Sequence, residues 1–166
     1  MNDIKKYTTL QLSTLVVLRL LIGWHLLYEG ISKLFNPAWS SAGFLKESKW
    51  LFSGVAQWIT SNSTILYIVD LLNIWGLIFI GLGLIIGLFA RATAISGSVL
   101  LFVYYLNNPP LVGLEYSVPV EGNYLIVSKT LIESVALLIL AIFPTSSIVG
   151  FDSWLHQPKN RRLKSK

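Results

Sequence analysis

The chain contains no cysteine. That excludes disulfides, thiolate metal sites and dithiol redox chemistry carried by the protein itself. Charge is scarce too: 13% of residues are Asp, Glu, Lys or Arg, where a soluble domain carries about 25%. There are two histidines, His25 and His156. Neither has a second histidine beside it, so no metal or haem site is expected. His25, next to Trp24, reads as a hydrogen-bonded structural side chain, and His156, near Trp154, as an interfacial one. No nucleophile–base motif is present. The glycines of GLGLIIG (81–87) follow no strand, so they are not a dinucleotide fingerprint.

What is abundant is apolar. Hydrophobic residues make up 54% of the 166 residues, and the mean hydropathy is +0.64. This is the composition of an integral membrane protein. The formal charge of +5 gathers mainly at the ends of the chain, which bears on topology; no nucleic acid is implied.

The chain is organised around residues 14–34, TLVVLRLLIGWHLLYEGISKL. This run is apolar enough to cross a bilayer, yet Arg19, His25, Glu29 and Lys33 fan over about 120° of one helical face. Ionisable groups at membrane depth normally face a bundle interior, a partner or water. Apolar run length and breakers such as Asn36-Pro37 predict four spans, over 10–34, 66–89, 91–107 and 123–143. The fold class is therefore all-α, an integral membrane four-helix bundle forming a single domain over 1–166, with a basic tail over 152–166. Between the first two spans, apolar residues at helical spacing predict one interfacial helix within 44–60, a solvated loop being the bland alternative. Gly76, Gly81, Gly83 and Gly87 of the second span would permit close helix approach.

Lys5, Lys6, Arg91 and the basic tail fall on one side of this arrangement, and Lys46 and Lys49 on the other. The positive-inside rule then puts both termini in the cytoplasm. The tail can also touch anionic lipid.

Depth connects the polar residues. Glu29, Asp70, Asn73 and Lys129 fall within about one turn of the same level in the outer half, with Glu133 nearer the midplane and Tyr104 at the matching end of the third span. Two readings stand. The charges satisfy one another and lock the bundle, or they line an outward-opening cavity for a polar or amphiphilic ligand, with Glu29 and Lys129 at its centre. In the second reading Glu29 or Glu133 handles a proton, Lys33 and Asp70 sit at the mouth, and Asn73 and Tyr104 donate hydrogen bonds. Arg19, on the inner side of the middle, and His25 are structural polar residues in either case.

The stretches RLLIGWHLLYEGISKLFNPAW, GLGLIIGLFARATAISG and GNYLIVSKTLIESVALLIL occur in that order over most of the chain. They resemble the DoxX family of small four-helix membrane proteins. Arg19, Gly23, Gly30, Lys33, the Gly87–Arg91 turn, Asn123 and Lys129 carry the likeness. Tyr28-Glu29-Gly30, Trp39 and the following Gly43-Phe44-Leu45 are more similar to its DoxD branch, the membrane subunit of thiosulfate:quinone oxidoreductase. The resemblance implies an inner-membrane subunit of a bacterial oxidoreductase complex, passing electrons from a sulfur compound such as thiosulfate to a quinone, beside a second subunit and membrane lipids. The other class of function is a non-catalytic binding, transport or scaffold protein built on the outer cavity.

Overall fold

The computed structural model describes residues 7–111, 113, 114, 116 and 123–155. Lys5, Lys6, Glu115, Glu121, His156 and the basic tail from 157 onward, on which part of the topology argument rests, lie outside the described residues.

Helix α1 (Thr9–Leu34) starts at a reciprocal cap. Gln11 N–H donates to Thr8 Oγ1 at 3.2 Å, and Thr8 N–H donates to Gln11 Oε1 at 2.9 Å. Two short helices follow, α2 (Ala42–Lys46) and α3 (Ser53–Ser61). They replace the single interfacial helix expected within 44–60. The carbonyl of Phe44 accepts from the side-chain amides of Asn107 and Asn108 at 3.3 and 3.4 Å, while Ser48 N–H turns back to Leu45 O at 3.0 Å. Tertiary donors thus hold Phe44 O, and the helix stops.

Helix α4 (Ser63–Ile86) begins three residues earlier than the apolar run suggests, because the Asn62 side chain accepts from Thr64 N and Ile65 N. It ends at Gly87, whose φ of 72° is a left-handed conformation that glycine adopts without steric cost. Helix α5 (Ala90–Asn107) follows directly.

The fourth expected span, 123–143, is not one helix. Residues Asn123–Tyr124 (β1) and Val127–Ser128 (β2) pair antiparallel, and helix α6 runs only from Lys129 to Ile142. Ser128 caps α6 by accepting from Leu131 N at 3.2 Å. The two-stranded element is a short hairpin in an otherwise helical chain. Its turn places Leu125 at φ 58°, and Tyr105 Oη donates to Ile126 O at 2.8 Å. At about 1.5 Å per residue, α6 is about 21 Å long, short of a hydrocarbon core of about 30 Å. A short helix α7 (Asp152–Leu155) ends the described chain.

Helix α1 packs along α4, and α5 along α6; α4 and α5 join the two pairs, while α1 and α6 touch only lightly. The α1–α4 crossing is close. A Cβ built on Gly81 would lie 2.6 Å from Leu27 N and 2.7 Å from Gly23 O. Gly76, by contrast, faces open space, Gly83 meets the Thr93 side chain of α5, and Gly87 meets the Arg19 guanidinium of α1 at 3.4 Å, so of the four glycines expected to permit close approach only Gly81 meets the α1 backbone. Across α5 and α6, Ser98 Oγ donates to Ser134 O and Ser134 Oγ to Ser98 O, both at 2.9 Å. Leu26, Leu77, Leu84 and Leu137 are fully buried between the pairs.

Helices α1 and α4 are each long and apolar enough to cross a membrane, by length and composition. Only 28% of each apolar stretch is buried within the protein. The core helix of a soluble protein is mostly covered, and these two are not.

Candidate functional site

Three long helices and the strap between α1 and α3 build one polar cavity. On α1, Glu29 and Lys33 are one turn apart, with Lys33 Nζ 2.9 Å from Glu29 Oε1. The same ammonium donates to Asn73 Oδ1 on α4 at 3.1 Å. Asn73 Nδ2 in turn donates to Tyr104 Oη on α5. A continuous chain of contacts therefore runs Glu29–Lys33–Asn73–Tyr104 across three helices.

Aromatic rings close over that chain. Lys33 Nζ lies 4.9 Å from the Trp39 ring centre and 5.8 Å from that of Tyr104. Phe44 meets Tyr104 edge-on at 5.6 Å. The strap holding Trp39 and Phe44 is anchored at both ends. Ser41 donates its N–H and its hydroxyl to Asp70 Oδ1 at 2.8 and 2.5 Å, and the two asparagines hold Phe44 O. The result is a cavity of about 310 Å³ lined by Glu29, Lys33, Trp39, Ser40, Ser41, Phe44, Asn73 and Tyr104. A roomier groove of about 560 Å³, along Leu10, Thr14 and Phe143, has no charged lining and so no comparable chemistry.

Of the residues expected in one layer, the structure brings Glu29, Lys33, Asn73 and Tyr104 together, with Asp70 beneath the strap. It does not bring Lys129 to Glu29. Because the hairpin takes up 123–128, Lys129 is the first residue of α6 and its side chain is 63% exposed. It approaches Glu133 Oε1 at 3.9 Å, the oxygen that lies 3.0 Å from His25 Nδ1. Glu133, His25 and Lys129 thus form a separate cluster bridging α1 and α6.

Arg19 belongs to neither group. Its guanidinium donates to Thr145 Oγ1 at 3.0 Å and to Val149 O at 2.8 Å, close to Gly87 and within the field of Asp152. Asp152 in turn accepts from Phe89 N at 2.8 Å and Ala90 N at 3.2 Å, so its carboxylate caps α5. Sequence reasoning missed Thr145, Asp152, Trp39, Ser41 and Phe44. Of these, Trp39 and Phe44 carried a signal, as part of the stretches that resemble the DoxD branch.

At the other end, Tyr116 Oη donates to Pro109 O at 2.7 Å, and Lys49 sits 5.4 Å from its ring centre. Burial, with Glu47 nearby, pushes this phenol above its ordinary pKa. Among the described residues, no three His, Cys, Asp or Glu side chains group as a metal ion would need.

No curated protein and no solved structure matches the chain. The model of one family, DoxX, matches residues 14–107, more than half of the sequence. That stretch includes Arg19, the Gly23–Gly81 crossing, the Gly87 turn and the whole Glu29–Lys33–Asn73–Tyr104 chain, and the protein is a member of the DoxX family.

Proposed function

We propose that the protein is a multi-pass membrane subunit of a quinone-linked oxidoreductase, and that the cavity between α1, α4 and α5 holds the quinone head group. The observation that carries this reading is one small cavity joining cation, hydroxyl and amide groups to three aromatic rings. Its volume of about 310 Å³ lies at the lower end of ligand pockets, which suits a single substituted ring. Trp39, Phe44 and Tyr104 offer ring faces and edges for a planar head group. Lys33 and Tyr104 are positioned to donate to a carbonyl oxygen, and Glu29, paired with Lys33, is positioned to hold or release a proton. Asp70 works indirectly, fixing the Ser41 end of the strap so that Trp39 and Phe44 exclude water.

A bound quinone supplies two-electron acceptor chemistry. The likeness of Tyr28-Glu29-Gly30, Trp39 and Gly43-Phe44-Leu45 to the DoxD branch favours a reduced sulfur compound such as thiosulfate as the donor. The same likeness implies a second subunit, and with no cysteine in this chain any covalent uptake of sulfur by a thiol falls to that subunit. In this reading α1, α4, α5 and α6 all cross a bacterial inner membrane, the short α6 by locally thinning the bilayer, with both termini cytoplasmic. Exposed Val55 and Trp58 of α3 then rest at the outer interface.

Purified protein should yield a quinone on solvent extraction and mass spectrometry, and should bind added quinone with quenching of tryptophan fluorescence. Lys33→Met should weaken binding by about tenfold or more, since a hydrogen bond to a charged group contributes about 1.5–3 kcal/mol. Lys129→Met, outside the cavity, should bind as wild type. A folded Lys33→Met protein with undiminished affinity would remove the site. Cysteines placed at Glu47 and Asn160 should label from opposite faces of the membrane; labelling from one face refutes the topology.

A second reading has its own observation. Glu29, Lys33, Asn73 and Tyr104 already satisfy one another, so the cluster closes without a ligand. A non-catalytic binding, transport or scaffold protein fits that closure. Reconstituted protein that binds quinone but transfers no electrons from thiosulfate with any co-purifying subunit would favour it.

A further inference from the structure

At the opposite end of α4 from the polar cavity, the α4–α5 turn and the segment after α6 enclose a second cavity of about 520 Å³. Its lining pairs one cation with unused hydroxyls and apolar surface. Arg91 is exposed and has no carboxylate within 4 Å among the described residues. Ser146 and Ser147 line the same space, and neither hydroxyl has a hydrogen-bond partner among the described residues. The one carboxylate present, Asp152, is buried and turned to Phe89 N, Ala90 N and the field of Arg19, leaving the mouth to Arg91.

Phe89 is the telling residue. Its φ of 49° is a left-handed conformation that a bulky side chain seldom adopts, and its ring is 66% exposed. A strained backbone that displays an aromatic ring outward gains nothing in water. It gains where the ring enters an apolar medium. Ile95, also exposed, continues that apolar wall from the cavity along α5.

We propose that this cavity binds the phosphate of an anionic phospholipid, with Arg91 and the two serine hydroxyls on the head group and Phe89 and Ile95 against the acyl chains. The proposal rests on the membrane reading but not on the quinone. Arg91 lies on the cytoplasmic side by the charge distribution of the sequence, facing the leaflet where anionic lipid concentrates. A lone cation beside unpaired hydroxyls complements a phosphodiester, and the amphipathic lining distinguishes a lipid phosphate from a free one.

The test is native mass spectrometry of the full chain in detergent, titrated with phosphatidylglycerol, with phosphatidylcholine of the same acyl chains, and with inorganic phosphate alone. Wild type should prefer phosphatidylglycerol. Arg91→Gln should lower that affinity about fivefold, the contribution of one basic residue at an anionic surface, with phosphatidylcholine binding and thermal stability unchanged. Lys46→Gln, an exposed cation far from this cavity, should keep the wild-type preference. Phe89→Gly should weaken both lipids, because it removes apolar contact while relieving the backbone. Equal binding of the two lipids by wild type, or an Arg91→Gln protein that keeps full affinity, overturns the site. Displacement of phosphatidylglycerol by equimolar inorganic phosphate overturns the lipid in favour of a soluble anion. Protein that fails to float with phosphatidylcholine vesicles refutes the membrane reading itself; protein that floats without a head-group preference refutes only this proposal.

Discussion

Arg19→Met is expected to destabilise the protein by about 3–5 kcal/mol, the loss of two hydrogen bonds from a charged group at about 1.5–3 kcal/mol each. Arg19 is 4% exposed and ties the middle of α1 to a segment more than a hundred residues away in sequence. Methionine fills much of the space but leaves Thr145 Oγ1, Val149 O and Asp152 without the cation. Arg19→Lys should recover only part of the loss, because an ammonium cannot serve two acceptors with the geometry of a planar fork. Denaturant or thermal unfolding in detergent measures the difference. Amide exchange should show where it falls: residues 145–154 and the start of α5 should lose protection, since Phe151 N–H to Ile86 O and Asp152 N–H to Gly87 O depend on that segment staying seated. The Glu29–Lys33–Asn73–Tyr104 chain at the other end of α1 should be unaffected. Wild-type stability in Arg19→Met would mean that backbone contacts alone hold the segment.

The second large effect concerns the α1–α4 crossing. Gly81→Val should destabilise by about 3 kcal/mol, the upper part of the usual range for overpacking. The Cβ it introduces meets backbone on the facing helix, 2.6 Å from Leu27 N and 2.8 Å from Leu27 Cα. Backbone cannot rotate aside as a side chain can, so the helices must separate and their close packing around Leu26, Leu77 and Leu84 must open. Gly76→Ala is the paired control. Nothing lies within 4 Å of its added Cβ, and alanine in a helix interior should add about 0.5–1 kcal/mol of stability. The same separation would pull Asn73 from Lys33, so Gly81→Val should also weaken any ligand that depends on that contact. Equal stabilities for Gly81→Val and wild type would show that the crossing tolerates an outward shift.

Local chemistry in the sequence determined the long helices and several of their ends. Apolar run length marks α1 and α4; Asn36-Pro37 ends the first, and the Gly87–Arg91 turn separates α4 from α5. Periodicity likewise put Glu29 and Lys33 on one face and Asn73 at matching depth, so the polar chain was legible as residues, though not as contacts. Three features were decided only by tertiary structure. The first is the hairpin at 123–128. Tyr124-Leu125-Ile126-Val127 has no Asn, Asp or Gly to signal a turn, and reads as the start of a span. The long-range bond from Tyr105 helps hold Leu125 in its unusual conformation. That hairpin delays α6 and turns Lys129 outward, which is why depth alone misplaced it. The second is the roof of the cavity, where Asp70 and Asn107 hold a strap whose own sequence is neither strongly helical nor strongly turn-forming. The third is the destination of Arg19, whose partners at Thr145 and Val149 no spacing rule reaches. Helical periodicity reports which face a charge occupies; only packing decides which distant group comes to meet it.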